Sequence, residues 1–110
     1  ASVAGLRGGR AGTAYTVSKF GLVGLSQNIA ATLGHRGIRC NVVCPGSVLT
    51  DMQNVAGAYE SAFEALGRDR LKPAPVEADK IAAVIEFVSS EQASAMNGTA
   101  VPVDSGFISY

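Results

Sequence analysis

The chain has 110 residues, 47% of them hydrophobic, and nine Lys and Arg balance nine Asp and Glu. This composition suits one globular unit, and the even charge leaves no electrostatic footprint for nucleic acid or an anionic membrane, so neither is expected as a partner. No apolar run approaches the roughly 18 residues that span a bilayer, and no basic segment leads into an apolar core as in a secretory signal, so a cytoplasmic protein is expected.

In chain order, the opening "ASVAGLRGG" has no Met and is rich in glycine, and it reads as a piece of something longer. Residues 5–12, "GLRGGRAG", are predicted to form a mobile or tightly turned loop. From Thr13 to about Leu33 the pattern is helical: Ala14, Val17, Phe20, Leu22, Val23, Leu25, Ile29, Ala30 and Leu33 recur near the 3.6-residue period. Gly21 and Gly24 lower the helix propensity there but, with Ala31, would allow another element to approach closely. Gly34 and the following "HRG" are expected to end the helix by C-cap chemistry.

Residues 38–44, "IRCNVVC", form the clearest strand pattern, β-branched and stopped by Pro45-Gly46. A long helix followed directly by a strand is half of a βαβ unit. A loop and a short helix around 55–66, with a Pro-broken exit, come next. "VEADKIAAVIEFVSSEQ" then reads as a second amphipathic helix with Ile81, Val84, Ile85 and Val88 as its stripe, and "GTAVPVDSG" as a final short strand. Parallel sheets need cover on both faces. Two strands cannot receive all of these helix stripes, so the predicted fold is a truncated α/β domain.

Cys40 and Cys44 lie on one strand, four residues apart. That spacing separates their Cα atoms by roughly 13 Å, beyond the roughly 7 Å limit for a disulfide. They read as small buried hydrophobes in a reducing compartment, not as a bridge or a metal site.

Chemistry concentrates in "AYTVSKFGL", residues 14–22. Tyr15 and Lys19 are spaced i, i+4 and share a helix face, so the ammonium can lie near the phenol. A cation there favours the phenolate, which is how a tyrosine becomes a usable acid/base near neutral pH. On the pair alone, a solvated tyrosine and lysine is the favoured reading. Three further features adjoin it: Ser2 thirteen residues before Tyr15, the strand ending in Pro45-Gly46, and Thr50 four residues after Gly46.

With these features together, "SVAGLRGGRAGTAYTVSKFGLVGLSQNIA", "GIRCNVVCPGSVLTDM" and "NGTAVPVDSGF" resemble the C-terminal half of the short-chain dehydrogenase/reductase family over nearly the whole chain. The resemblance implies the C-terminal part of a Rossmann-like, doubly wound parallel sheet, with residues 1–110 as half of a single dinucleotide-binding oxidoreductase domain. It implies NAD or NADP as cofactor. Tyr15 matches the catalytic acid/base. Lys19 matches the residue that favours the tyrosinate and holds the nicotinamide ribose, placing both at the cofactor, and Ser2 matches the serine that hydrogen-bonds the substrate oxygen. Pro45, Gly46 and Val48 match the turn lining the nicotinamide, and Thr50 the hydroxyl near its carboxamide or pyrophosphate. Residues 2–19 then carry the catalytic motif, 45–50 the nicotinamide-side turn and about 52–72 the substrate loop. No metal is implied.

The family's glycine-rich dinucleotide loop, its Asn-Asn-Ala-Gly segment and its catalytic asparagine are expected upstream of Ala1. "GLRGGRAG" is no substitute, since it follows no strand in a G-x-G-x-x-G frame. Ser105 stands where relatives usually carry glycine, and Cys44 where alanine or serine is commoner. The implied activity is hydride transfer between NAD(P) and a secondary alcohol or ketone, such as a 3-oxoacyl, sugar or steroid-like substrate. The parent would be a homodimer or homotetramer, and this segment by itself inactive. The competing reading is a dehydrogenase-fold binding or regulatory module without turnover. His35 reads as a capping or surface residue, Arg7 and Arg10 as solvated loop charges, and Asp51 and Asp104 as turn or cap residues. Glu60, Glu64, Arg68 and Arg70 read as a solvated helix face.

Overall fold

The computed structural model describes residues 1–51 and 73–109. Helix α1 runs Thr13–Leu33 and helix α2 Ala78–Ser89, while strands β1, Val42–Pro45, and β2, Ala100–Val103, form a parallel pair. Short 3-10 turns occupy Val3–Gly5, Gly34–Arg36 and Glu91–Ala93. The α/β architecture with a parallel sheet is the one expected. The predicted helix at 55–66, the substrate segment 52–72 and the charged face formed by Glu60, Glu64, Arg68 and Arg70 lie outside the described residues.

Helix α1 has the predicted limits, but its burial differs from the predicted stripe. Val23, Ser26 and Ala30 are buried, at i, i+3 and i+7. Val17, Phe20 and Leu25 are 66%, 45% and 54% exposed. The apolar residues circle the helix, and the side facing the sheet carries the smaller ones. Val23 packs with Val42 and Cys44 in the core, with Ala1, Leu6 and Ala100 against them. Gly34 remains right-handed and continues into the 3-10 turn, so the left-handed stop falls at Gly37, with φ 78°. Gly34 is the C-cap of α1, as expected, its N–H still bonded to the Ala30 carbonyl, and the 3-10 turn carries the chain on to Gly37.

β1 begins at Val42, later than the predicted residue 38. Ahead of Val42 the two chains are joined by one backbone bond, from the Gly98 amide to the Cys40 carbonyl at 2.9 Å, and by the side chains of Asn41 and Asn97. The Cys40 amide donates to Asn97 Oδ1 at 2.9 Å, and the Thr99 amide donates to Asn41 Oδ1 at 3.1 Å. Asn41 Nδ2 donates to the Met96 carbonyl at 2.8 Å, and Asn97 Nδ2 to the Ala30 carbonyl at the end of α1, at 3.3 Å. From Val42 the ladder takes over, pairing Val42 with Ala100 through Pro45 with Val103. Pro102 is exposed in β2, a position an edge strand tolerates.

Arg39 joins this layer to α2. Its Nη1 donates to the carbonyls of Val88, Ala93 and Met96 at 3.0, 2.9 and 3.0 Å, and Nη2 donates to Ser90 at 3.1 Å. These acceptors include the carbonyls that a helix end leaves without an intrahelical donor. One planar cation thus closes the last turn of α2 and the 3-10 turn after it, where the helix dipole also favours positive charge. In α2, Ile81 and Val88 are buried, whereas Ile85 is 49% exposed, so the stripe read from the sequence divides between core and surface.

Candidate active site

Ser2, Tyr15 and the 45–50 turn come from three separate stretches and meet at one cavity of about 540 Å³. Its walls are Ala1 and Ser2, then Tyr15 of α1, then Pro45, Gly46, Ser47, Val48 and Thr50 beyond β1. The apolar side is Ala78, Ile81, Ala82 and Ile85 of α2. The site therefore opens past the carboxyl end of β1, the position where open parallel sheets bind ligands.

Ser2 is extended, with φ −173° and ψ 158°, and its Oγ accepts the Ala4 amide at 3.1 Å, capping the Val3–Gly5 turn. That bond uses an oxygen lone pair and leaves the hydroxyl proton to donate elsewhere. The Ala1 nitrogen donates to the Val43 carbonyl at 2.6 Å, so this segment runs beside β1.

Gly5 holds the Ser2 turn against α1. A Cβ on Gly5 would stand 2.5 Å from the Lys19 carbonyl oxygen and 2.8 Å from its carbon. Only hydrogen fits there, and the helix backbone cannot yield. Gly5→Ala is expected to lower stability by about 1–3 kcal/mol through overpacking, whereas Gly8→Ala, with nothing within 4 Å of its Cβ, should be neutral. Thermal unfolding of the two variants checks this; equal melting temperatures would mean that the turn and helix separate freely.

One helical turn along from Tyr15, Lys19 Nζ lies 5.0 Å from the centre of the tyrosine ring. The predicted i, i+4 meeting is present. Lys19 does not line the cavity wall itself; it stands beside the phenol that does. Tyr15 is 36% exposed.

The 45–50 turn is held on both sides. Gly46 N–H donates to the Val103 carbonyl at 3.0 Å, continuing the ladder one step past the strand. Farther on, Val48 bridges Val76 in parallel: the Leu49 amide donates to Val76 at 2.9 Å and the Val76 amide to the Ser47 carbonyl at 3.0 Å. These bonds use the peptide groups flanking Val48, and the alternation of an extended chain turns Val48's own N–H and C=O toward the opposite edge.

Cys44, wholly buried beneath the turn, is a free thiol, and Cys40 is free and half-buried. Burial pushes the Cys44 thiol above its ordinary value, so it stays protonated and packs as a small hydrophobe. His35 is exposed at the end of α1. Arg10, expected to be solvated, instead stacks on Phe107, its guanidinium carbon 4.4 Å from the ring centre. Among the described residues the ion pair Asp79–Lys80 is exposed and of little energetic weight.

The α2 side chains in the cavity wall were missed by the sequence reading. Positions 78, 81, 82 and 85 have the i, i+3, i+4, i+7 spacing of a single face, of which the stripe read from the sequence includes only Ile81 and Ile85. The neighbouring Pro-Gly turn was the available clue that this face lies at the mouth of a site.

A family model described as Enoyl-(Acyl carrier protein) reductase matches residues 1–108. The short-chain dehydrogenase/reductase olcF of Penicillium canescens is 37% identical over 116 residues, covering 94% of this chain and 44% of that protein. The chain belongs to the short-chain dehydrogenase/reductase family. The 3beta-hydroxysteroid dehydrogenase 2 of Eggerthella lenta is 37% identical, covering 100% of this chain and 43% of that one. The chain thus spans about half the length of the curated relatives it matches.

Solved structures agree with the Rossmann-like architecture. The NADH complex of 4-hydroxyisoleucine dehydrogenase superposes with a TM-score of 0.77 at 27% identity, covering 100% of this chain and 45% of that one. An NADP-bound structure from Agrobacterium tumefaciens superposes at 0.80 and 26% identity, again covering 100% and 45%. The family's cofactor is NAD or NADP. The wall built here suits the nicotinamide end of such a molecule: flat contact from Pro45, Gly46 and Val48, hydroxyls from Ser2, Tyr15 and Thr50, and a cationic Lys19 beside the phenol. Among the described residues no helix is long and apolar enough to cross a membrane.

Proposed function

We propose that, in a chain of the relatives' length, this segment carries the proton-transfer half of an NAD(P)-dependent dehydrogenase or reductase acting on a secondary alcohol or ketone. The carrying observation is the convergence of Ser2, Tyr15 and the 45–50 turn on one cavity, with Lys19 beside the tyrosine ring. Tyr15 Oη gives a proton to the substrate oxygen in reduction and takes it back in oxidation. Lys19, beside the phenol ring, holds the ribose hydroxyls. Ser2 Oγ donates a second hydrogen bond to the same oxygen, so negative charge developing there meets two aimed donors. Pro45, Gly46, Val48 and Thr50 orient the nicotinamide, which supplies or accepts the hydride.

On this reading residues 1–110 are the C-terminal half of a single dinucleotide-binding domain. Residues 2–19 hold the catalytic motif, 45–50 the cofactor turn, and about 52–72 select among 3-oxoacyl, sugar and steroid-like ketones. The Eggerthella lenta relative's action on a hydroxysteroid supports the last class. A homodimer or homotetramer belongs to the same reading, supported by the exposed Val17, Phe20 and Leu25 of α1.

The test follows reduced-nicotinamide absorbance across a carbonyl panel with the full-length protein. Ser2→Ala should slow turnover by roughly 10² to 10³ and leave cofactor affinity nearly unchanged. Cofactor binding with no turnover on any ketone or alcohol would favour a binding module. Unaltered turnover in Ser2→Ala would remove the serine from the site.

A further inference from the structure

We propose that Asp104 is a positioning residue for the nicotinamide-side turn, acting from behind it through the backbone of residues 104–108. The proposal rests on the assignment of Pro45–Thr50 to the cofactor.

Asp104 does not line the cavity. Its carboxylate is directed instead at its own chain: Oδ1 accepts the Gly106 amide at 3.0 Å and Oδ2 the Ile108 amide at 2.9 Å. Its carbonyl accepts the Phe107 amide at 3.0 Å. The turn so formed needs two consecutive left-handed residues, Ser105 with φ 52° and Gly106 with φ 83°. Gly106 adopts that region freely, whereas Ser105 is strained by its Cβ. The two bonds to a charged acceptor hold the chain in this conformation.

The turn touches Gly46 with no slack. A Cβ on Gly46 would fall 2.7 Å from Asp104 Cβ and 2.9 Å from Asp104 Cα, so the two backbones are as close as glycine permits. With Gly46 N–H also tied to Val103, the place of Gly46 at the cavity wall is set by where residues 103 and 104 stand. The same turn is gripped from the far side by Arg10 stacking on Phe107, and Arg10 lies in the loop joining Ser2 to Tyr15. Without the carboxylate, Ser105 relaxes out of the left-handed region, Asp104 Cα shifts, and Gly46 follows.

The test uses Asp104→Ala, which keeps the Cβ that meets Gly46 and removes only the bonds that shape the turn, together with Gly46→Ala and the double variant. Reduced-cofactor affinity is read by fluorescence titration of the full-length protein, alongside turnover at saturating cofactor and thermal unfolding. Asp104→Ala should weaken cofactor binding about tenfold, with saturated turnover within about twofold of the parent. Adding Ser105→Gly should restore part of the loss, since glycine holds the left-handed turn without help. Gly46→Ala should weaken binding more. The double variant should bind no worse than Gly46→Ala alone, because both changes act through one displacement. A lower melting temperature in Asp104→Ala with unchanged cofactor affinity would overturn the proposal, as would losses that multiply in the double variant. If Gly46→Ala itself binds cofactor normally, the assignment of the turn to the nicotinamide fails, and the role of Asp104 fails with it.

Discussion

Replacing Tyr15 by Phe is expected to remove most turnover, by roughly 10² to 10⁴, the range that general acid/base catalysis supplies, while cofactor affinity stays close to that of the parent. The substituted ring keeps its place in α1 and its contact with Lys19 and loses only the hydroxyl at the cavity. The walls assigned to the cofactor, Pro45, Gly46, Val48 and Thr50, are untouched. Lys19→Ala should differ in kind: it removes the cation 5.0 Å from the ring and the assigned ribose contact together, so turnover and cofactor affinity both fall. Measuring turnover and cofactor dissociation constant against pH for the two variants separates these outcomes. A Tyr15→Phe variant that retains most of the parent activity would end the acid/base assignment and leave Tyr15 as a surface tyrosine one turn from a lysine.

The second large effect is on stability. Arg39→Ala strips donors from four carbonyls at the end of α2 and the turn after it. Buried acceptors left without partners cost about 1–3 kcal/mol each where water does not replace the donor. Water reaches part of this half-buried site, so a total near 3 kcal/mol is expected, lowering the melting temperature by roughly 6–12 °C in a domain of 150–250 residues. Arg39→Lys should recover only part, because a single ammonium cannot reproduce the planar fork that reaches several carbonyls at once. A change below about 1 °C in Arg39→Ala would mean that the helix end is satisfied without the arginine.

These two residues differ in how legible they were. Tyr15 and Lys19 stood out because their meeting is a local event: four residues of α-helix bring the side chains together whatever surrounds them. Arg39 did not, since its partners lie 49 to 57 residues away and none is marked by residue type. A backbone carbonyl carries no sequence signature. The same holds for Arg10, read as a solvated charge and found stacked on an aromatic ring from the other end of the chain. Asp104, by contrast, was read correctly as a turn residue, because an Asx-type turn is written within a few residues.

Short-range geometry was thus determined by the sequence alone: the limits of α1 through the 3.6-residue period, the stop of β1 at Pro45-Gly46, the position of α2, and the Tyr15–Lys19 face. Tertiary structure alone decided that Ser2 and the 45–50 turn share a cavity with Tyr15. That depends on Gly5 letting a 3-10 turn rest on the backbone of α1, and on β1 and β2 aligning so that Gly46 abuts Asp104. It also decided where β1 begins, since the Cys40 amide goes to the Asn97 side chain and the Asn41 side chain to Met96 and Thr99 ahead of β2. Periodicity, caps and turn residues act over one or two turns of chain, whereas close approaches between distant backbones exist only once the elements have packed.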